Sequence, residues 1–322
     1  MSAPETGLVG DIGATNARFA LVRPDGTSTP PRAYVLDDYP SLLSAVDAYL
    51  TDEAPPARPK QAVLAVACPV TGDRVALTNH TWTFSIEAVR QHFELRRLRV
   101  VNDLAAHAIA IPRLGEGDRT QIGTGSPVGT APIGLIAPGT GLGMSALVPT
   151  PNGAIPVEGE GGHATMPPAD AREDAVLDLM RKRYDHVSAE RILSGPGLVN
   201  LYQALCELAG APAAPFAPAQ ITNPRTWNED PRAREATVMF CAMLGTVAGN
   251  LALILGARGG IYIAGGIVPK LGRIFAESEF RSRFEAKGRF RGYLAAIPTY
   301  AIVRPLSALV GAAALLERNP ER

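Results

Sequence analysis

Two stretches of this chain set short apolar runs on either side of a break made of Gly, Asp, Thr and Asn. Between Leu8 and Val22 the break is Gly10-Asp11-Ile12-Gly13-Ala14-Thr15-Asn16; between Ile133 and Val148 it is Gly139-Thr140-Gly141. Runs of this length and spacing predict two β-hairpins. A Gly/Asp/Asn turn between strands is commonly only a turn. Here Gly13 also lets the backbone approach a ligand closely, and Thr15 and Asn16 offer a hydroxyl and an amide to phosphoryl oxygens. Asp11, pointing into the turn, would hold a magnesium-bound water. Because the design occurs twice, the pattern reads as two half-molecules, each with a phosphate hairpin, facing each other across a cleft.

Between and after the hairpins the apolar periodicity predicts an alternating α/β order. A helix to about residue 50, a Pro-rich linker at 54–59 and a buried strand at 62–67 are followed by a hairpin over 75–83. Ser85 caps a helix to about 93, and a strand at 98–101 ends directly on Asn102-Asp103 before a helix at 104–111. The polar, Gly-rich stretch 115–129 reads as a connection. Helices are predicted at 171–184, 188–192, 196–208 and 231–256, then a strand at 260–264, a helix from about Pro269, a strand at 301–303 and a closing helix from Ser307. With a boundary near Pro112 and the last helix returning to the first domain, the chain divides into a small α/β domain, 1–112 plus 306–322, and a large one, 113–305. The Pro/Ala-rich segment 211–219 reads as a surface loop.

Composition narrows the classes. A chain of 322 residues exceeds what one core usually supports, and 46% hydrophobic residues with only 6% aromatics suit a two-domain α/β protein. A formal net charge of zero argues against capture of nucleic acid or of an anionic membrane. Cys68, Cys206 and Cys241 are isolated in apolar surroundings, so they read as reduced, buried thiols without metal-ligand spacing. The stretch 238–255 comes nearest to a membrane span, but Gly245, Thr246, Gly249 and Asn250 make it a closely packed internal helix. The first five residues lead into a strand without the basic and apolar regions of a signal peptide, which predicts a cytoplasmic protein.

Four further segments carry candidate chemistry. Asp103, at a strand's C-terminal end beside Asn102, has the placement of a general base in an open α/β sheet, and equally that of a helix cap. The loop from Val157 to His163 packs Glu158, Glu160 and an imidazole among glycines, as a reader of vicinal hydroxyls would or as a solvated loop does. Glu190 opens a short helix, where the helix dipole alone accounts for it. Gly265-Gly266 follows a buried strand and either borders a flat base or makes a tight turn. Neither the dinucleotide GxGxxG fingerprint nor a Walker A loop is present.

Taken in order, Gly10-Asp11-Ile12-Gly13-Ala14-Thr15-Asn16-Ala17-Arg18, Val101-Asn102-Asp103-Leu104-Ala105-Ala106, Pro138-Gly139-Thr140-Gly141-Leu142-Gly143, Gly159-Glu160-Gly161-Gly162-His163, Glu190 through Leu198 and Gly265-Gly266-Ile267-Val268-Pro269 resemble the motifs of the bacterial glucokinase family of the enterobacterial type. That family belongs with hexokinases, actin and heat-shock chaperones. The resemblance implies a two-domain actin-like ATPase (ribonuclease H-like) fold with a ligand cleft between the domains. It further implies that Asp103 takes the proton from the 6-hydroxyl of D-glucose as that oxygen attacks the γ-phosphate of ATP. Asn102, Glu160, His163 and Glu190 would then bind the other hydroxyls. Gly10 to Asn16 and Gly139 to Gly141 would face the phosphates with Mg2+, and Gly265-Gly266 would border adenosine. A cytoplasmic homodimer feeding glycolysis is implied as well. Ala14 stands where the family pattern usually has a second glycine. With no cysteine between Cys68 and Cys206, the related kinases and repressors with a Cys-rich zinc motif are disfavoured. A non-catalytic sugar sensor and a kinase for another hexose remain the alternatives.

Overall fold

The computed structural model describes residues 6–151 and 153–317, so residues 1–5 and 318–322 of the expected small domain, with the expected absence of a leader, lie outside the described residues. The chain forms two compact units, 1–114 with 304–322, and 115–303.

The first unit is built on a five-stranded sheet. Its strands are β1 (Gly7–Ile12), β2 (Asn16–Val22), β3 (Arg32–Val35), β4 (Gln61–Val66) and β7 (Arg97–Asn102), in the order β3-β2-β1-β4-β7. A small ribbon, β5 (Arg74–Ala76) with β6 (Thr83–Ser85), stands apart. β1 and β2 form the first predicted hairpin, and β1, β4 and β7 run parallel. Their apolar residues are buried because helices cover the sheet. One is α1 (Leu42–Glu53), which Ser41 starts with a capping box to Ser44; the others are α2 (Ile86–His92), capped by Ser85, and α3 (Asp103–Ala110). Phe19, Tyr49, Leu42 and Leu64 lie in one core cluster. The C-terminal helix Ser307–Glu317 packs on α3, and Gly311 makes that approach possible: a Cβ there would lie 1.8 Å from the carbonyl oxygen of Ala106. Beside it, His107 Nδ1 and Ser307 Oγ are 2.8 Å apart.

The second unit has a six-stranded sheet made of β8 (Arg119–Ile122), β9 (Ile133–Pro138), β10 (Leu142–Thr150), β11 (Gly153–Gly159), β12 (Ile261–Ile263) and β13 (Thr299–Ile302), in the order β11-β10-β9-β12-β13-β8. β9 and β10 are the second predicted hairpin. The stretch 115–129, expected as a connection, instead holds the edge strand β8, of which only Ile122 is buried. The loop expected over 157–163 begins as the last part of β11 and ends in a 3-10 turn, Gly161–His163.

Helices α4 (Ala171–Arg183), α5 (Gly195–Leu208), α6 (Pro218–Ile221), α7 (Pro224–Glu229) and α8 (Pro231–Leu255) follow, then the shorter segments Ile267–Leu271, Arg273–Ala276, Phe280–Glu285 and Arg291–Ala295. Helix α8 is long and apolar enough to cross a membrane by length and composition, yet most of it is buried among its neighbours. Gly245 and Gly249 explain the packing, since a Cβ would lie 2.2 Å from the Phe280 carbonyl oxygen and 2.6 Å from that of Phe284. All three cysteines are free and buried.

Candidate active site

In the first unit, register brings the candidate residues together. Ile12 pairs with Val66, and Val66 with Asn102, so the ends of three parallel strands share one sheet edge. The turn after Ile12 therefore stands about 10 Å, two inter-strand spacings, from the start of α3. That turn is closed by Gly13 N–H donating to Asn16 O at 3.0 Å and is tied to the end of β3, where Leu36 N–H donates to Thr15 O at 2.9 Å. Gly10 is needed for packing, because a Cβ would lie 2.7 Å from Leu64 and 3.1 Å from Phe19, whereas a Cβ on Gly13 meets only Asn16 O at 3.5 Å. Ala14 is not among the residues with positive φ, so its methyl carries no backbone strain.

Asp11 Oδ2 lies 3.9 Å from Arg18 across the hairpin. Burial raises its pKa, and the Arg18 guanidinium opposes that rise. One carboxylate beside a phosphate-shaped turn fits Mg2+, which commonly keeps most of its waters and takes one or two protein carboxylates plus phosphates. Among the described residues no group of three His, Cys, Asp or Glu gathers as a metal cage.

Asn102 and Asp103 sit at the junction from β7 to α3. Asn102 is the helix cap, its Oδ1 accepting from Leu104 N–H at 2.9 Å while its Nδ2 donates to Cys68 O at 3.3 Å. Asp103 Oδ1 accepts from the same Leu104 N–H at 2.8 Å. The capping role thus falls to Asn102 with help from Asp103, and the helix N-terminus favours a charged carboxylate at 103. Cys68 stays a thiol: burial, then the nearby Asp103 charge, pushes it up to about 11.

In the second unit the Gly139-Thr140-Gly141 turn is a hub. Gly139 N–H donates to Gly141 O, and Gly139 O accepts from Gly195 N–H at the start of α5, both at 2.8 Å. Gly265 has φ +83°, and a Cβ on it would lie 2.3 Å from Pro138 O, so the Gly265-Gly266 segment sits against the end of β9 as only glycine allows. Glu190 lies in the first turn of a short helix as expected, the 3-10 turn Ala189–Arg191, and its Oε2 accepts from Leu142 N–H at 2.9 Å. Gly162 lies on Leu142 from another side.

Glu160 and His163 are exposed and 4.0 Å apart, with their polar atoms open to a ligand. His163 and Glu190 line one depression of about 390 Å3 together with Tyr184, His186 and Ser188. A larger cavity, about 530 Å3 between Asp170, Asn250, Arg283 and Lys287, holds none of the candidate residues. Sequence reasoning passed over Ser194, whose hydroxyl donates to Glu190 O at 2.8 Å and accepts from Gly197 N–H at 3.0 Å. The Ser-Gly-Pro-Gly run at the head of a predicted helix was the available signal.

A family model described as Glucokinase matches residues 8–319. A glucokinase of Aromatoleum aromaticum is 51% identical over 96% of this chain and 94% of its own. A crystal structure of glucokinase from an Antarctic psychrotroph superposes with a TM-score of 0.89 at 36% identity, covering 98% of this chain and 99% of that one. A ROK family glucokinase from Streptomyces griseus, solved with glucose and AMPPNP, shares the fold at a TM-score of 0.64 and 20% identity, over 96% of this chain and 98% of its own. The chain belongs to the glucokinase family, ATP-dependent kinases of glucose built on the actin-like ATPase fold.

Proposed function

We propose that this chain transfers the γ-phosphate of ATP to the 6-hydroxyl of D-glucose, with Asp103 as the base. The observation that carries the reading is the shared end of the sheet in the first unit, where the parallel register of β1, β4 and β7 sets the Gly13–Asn16 turn and Asp103 at the same end, two inter-strand spacings apart. A carboxylate at a helix N-terminus is stabilised in its charged form, which is the form that accepts a proton. In the reaction Asp103 receives the proton of the 6-hydroxyl, the oxygen bonds to the γ-phosphorus, and the bond to ADP breaks. Asn102, Glu160, His163 and Glu190 bind the remaining hydroxyls. Gly10 to Asn16 and Gly139 to Gly141 face the phosphates, and Gly265-Gly266 borders adenosine. Mg2+, held through water by Asp11, would neutralise phosphate charge when bound. The family likeness supports a homodimer working in the cytoplasm and supplying glycolysis with glucose 6-phosphate.

The test is sugar-dependent ADP release from Mg-ATP over glucose, mannose, fructose and N-acetylglucosamine at equal concentration, with calorimetry of glucose binding alongside. Glucose is expected to be preferred; preference for another sugar moves the substrate and keeps the mechanism. Asp103→Asn is expected to lower kcat by about 10²- to 10⁴-fold with glucose affinity held within about tenfold. Unchanged turnover removes Asp103 from its role, and binding without any product points to a sensor.

A further inference from the structure

We infer that Glu190 belongs to the sugar and phosphate parts of the second unit at once, so that Gly141, a residue of the phosphate turn, sets the affinity for sugar. The inference rests on the reading of Glu190 as a sugar ligand and adds to it a mechanical link.

The backbone at 190 is fixed. Ser188 caps the 3-10 turn, Ile192 N–H donates to Ala189 O at 3.1 Å, and Ser194 Oγ donates to Glu190 O at 2.8 Å. Among the described residues the carboxylate is then positioned by a single polar bond, from Leu142 N–H to Oε2. Oε1 accepts no hydrogen bond among the described residues, which leaves it for a sugar hydroxyl.

Gly141 is where the link is exposed to test. A Cβ there would lie 2.4 Å from Oε2 and 3.3 Å from the Glu190 carboxyl carbon. The turn backbone is held on both sides, since Gly139 N–H bonds Gly141 O and Gly195 N–H bonds Gly139 O, so it yields less readily than a side chain. The long Glu side chain yields instead, so a methyl at 141 moves the carboxylate and breaks its bond to Leu142. The other sugar-reading segment converges on the same residue, for a Cβ on Gly162 would lie 1.8 Å from Leu142 O. The amide and the carbonyl of Leu142 thus face the two segments that carry Glu190 and His163. A sugar that draws on Glu190 pulls on the turn that faces the phosphates, before any nucleotide is present.

The experiment is calorimetric titration of glucose without nucleotide into the wild-type chain, Gly141→Ala, Gly129→Ala and Glu190→Gln. Gly141→Ala is expected to weaken glucose about tenfold, the scale of one charge-assisted hydrogen bond. Gly129→Ala, outside the site and with nothing within 4 Å of its Cβ, is expected to stay within about twofold. Wild-type affinity in Gly141→Ala, with Glu190→Gln weakened, overturns the link and leaves Glu190 a sugar ligand. Wild-type affinity in Glu190→Gln overturns the sugar-ligand reading and the link with it. The Leu142 amide resonance gives a second readout that needs no substitution: it is expected to shift on adding glucose alone, and an amide that stays in place overturns the link.

Discussion

The two glycine hairpins have nearly the same sequence shape and quite different support. The turn after Ile12 is closed by its own bond from Gly13 N–H to Asn16 O and has one outside tie, from Leu36 N–H just past β3 to Thr15 O, and the sheet beneath it is filled by Phe19 and Leu64. The turn after Pro138 is held from outside, by Gly195 N–H, by the Glu190 carboxylate on Leu142, and by the close approach of Gly162 and Gly265. The first is a local element that a short peptide pattern nearly specifies. The second has its own bond from Gly139 N–H to Gly141 O but leans as well on segments as far along the chain as Gly265, 127 residues past Pro138, and so it can carry information between them.

That contrast can be broken most forcefully at Gly162. Its missing side chain is filled by backbone, with Leu142 O at 1.8 Å, so nothing flexible can move aside. Gly162→Ala is expected to cost about 3 kcal/mol, roughly 10 °C in the melting transition of the second unit. A melting temperature within a degree of wild type would show that the second hairpin is as self-sufficient as the first.

The first unit has its own sensitivity, placed one helical turn beyond Asp103. His107 is buried beside Ser307, and burial lowers its pKa from the usual 6.5 to about 4. The unfolded chain therefore takes up a proton on this residue below pH 6.5 and the folded chain does not until about pH 4. Its contribution to stability is intact above 6.5 and is lost as pH falls toward 4. Between pH 7.5 and 5 this one group is expected to remove about 2 kcal/mol. Urea unfolding at the two pH values checks it: His107→Gln should show the smaller loss by that amount, and an equal loss in both proteins would discharge His107.

Both turns were legible in the sequence because glycine and polar residues between apolar runs leave few other conformations. The cap at Ser85 was legible for the same local reason, and so was the end of α8 at Gly256, whose φ is +60°; the caps at Ser41 and Asp230 emerge only in the structure. Strand β8 was not, since at the sheet edge it buries only Ile122 and shows no alternation. Helices α6 and α7 are only one or two turns long and lie within and beyond the Pro/Ala-rich stretch expected as a loop, so they show no periodicity, although Pro218 and Pro224 both stand at first helical positions. The contact from Glu190 to Leu142 spans 48 residues and depends on a 3-10 turn meeting a hairpin, which no local pattern encodes. Roles of single residues were legible as chemistry, and their mutual support was not.

The smallest effect on the fold is expected at Gly13, and it sharpens the comparison from the other side. A Cβ there would meet only Asn16 O, at an ordinary 3.5 Å, and its φ lies outside the left-handed region. The folded chain therefore has room for alanine, as its own Ala14 next door illustrates without strain. Gly13→Ala should leave stability without ligand within about 0.5 kcal/mol of wild type. If glycine is kept at 13 for a phosphate that must approach the backbone, the same variant should raise the KM for ATP about tenfold while the glucose affinity measured alone stays put. An unchanged KM would make residue 13 only a turn. A fall in glucose affinity would give the first hairpin the same tie to the sugar that the bond between Glu190 and Leu142 gives the second.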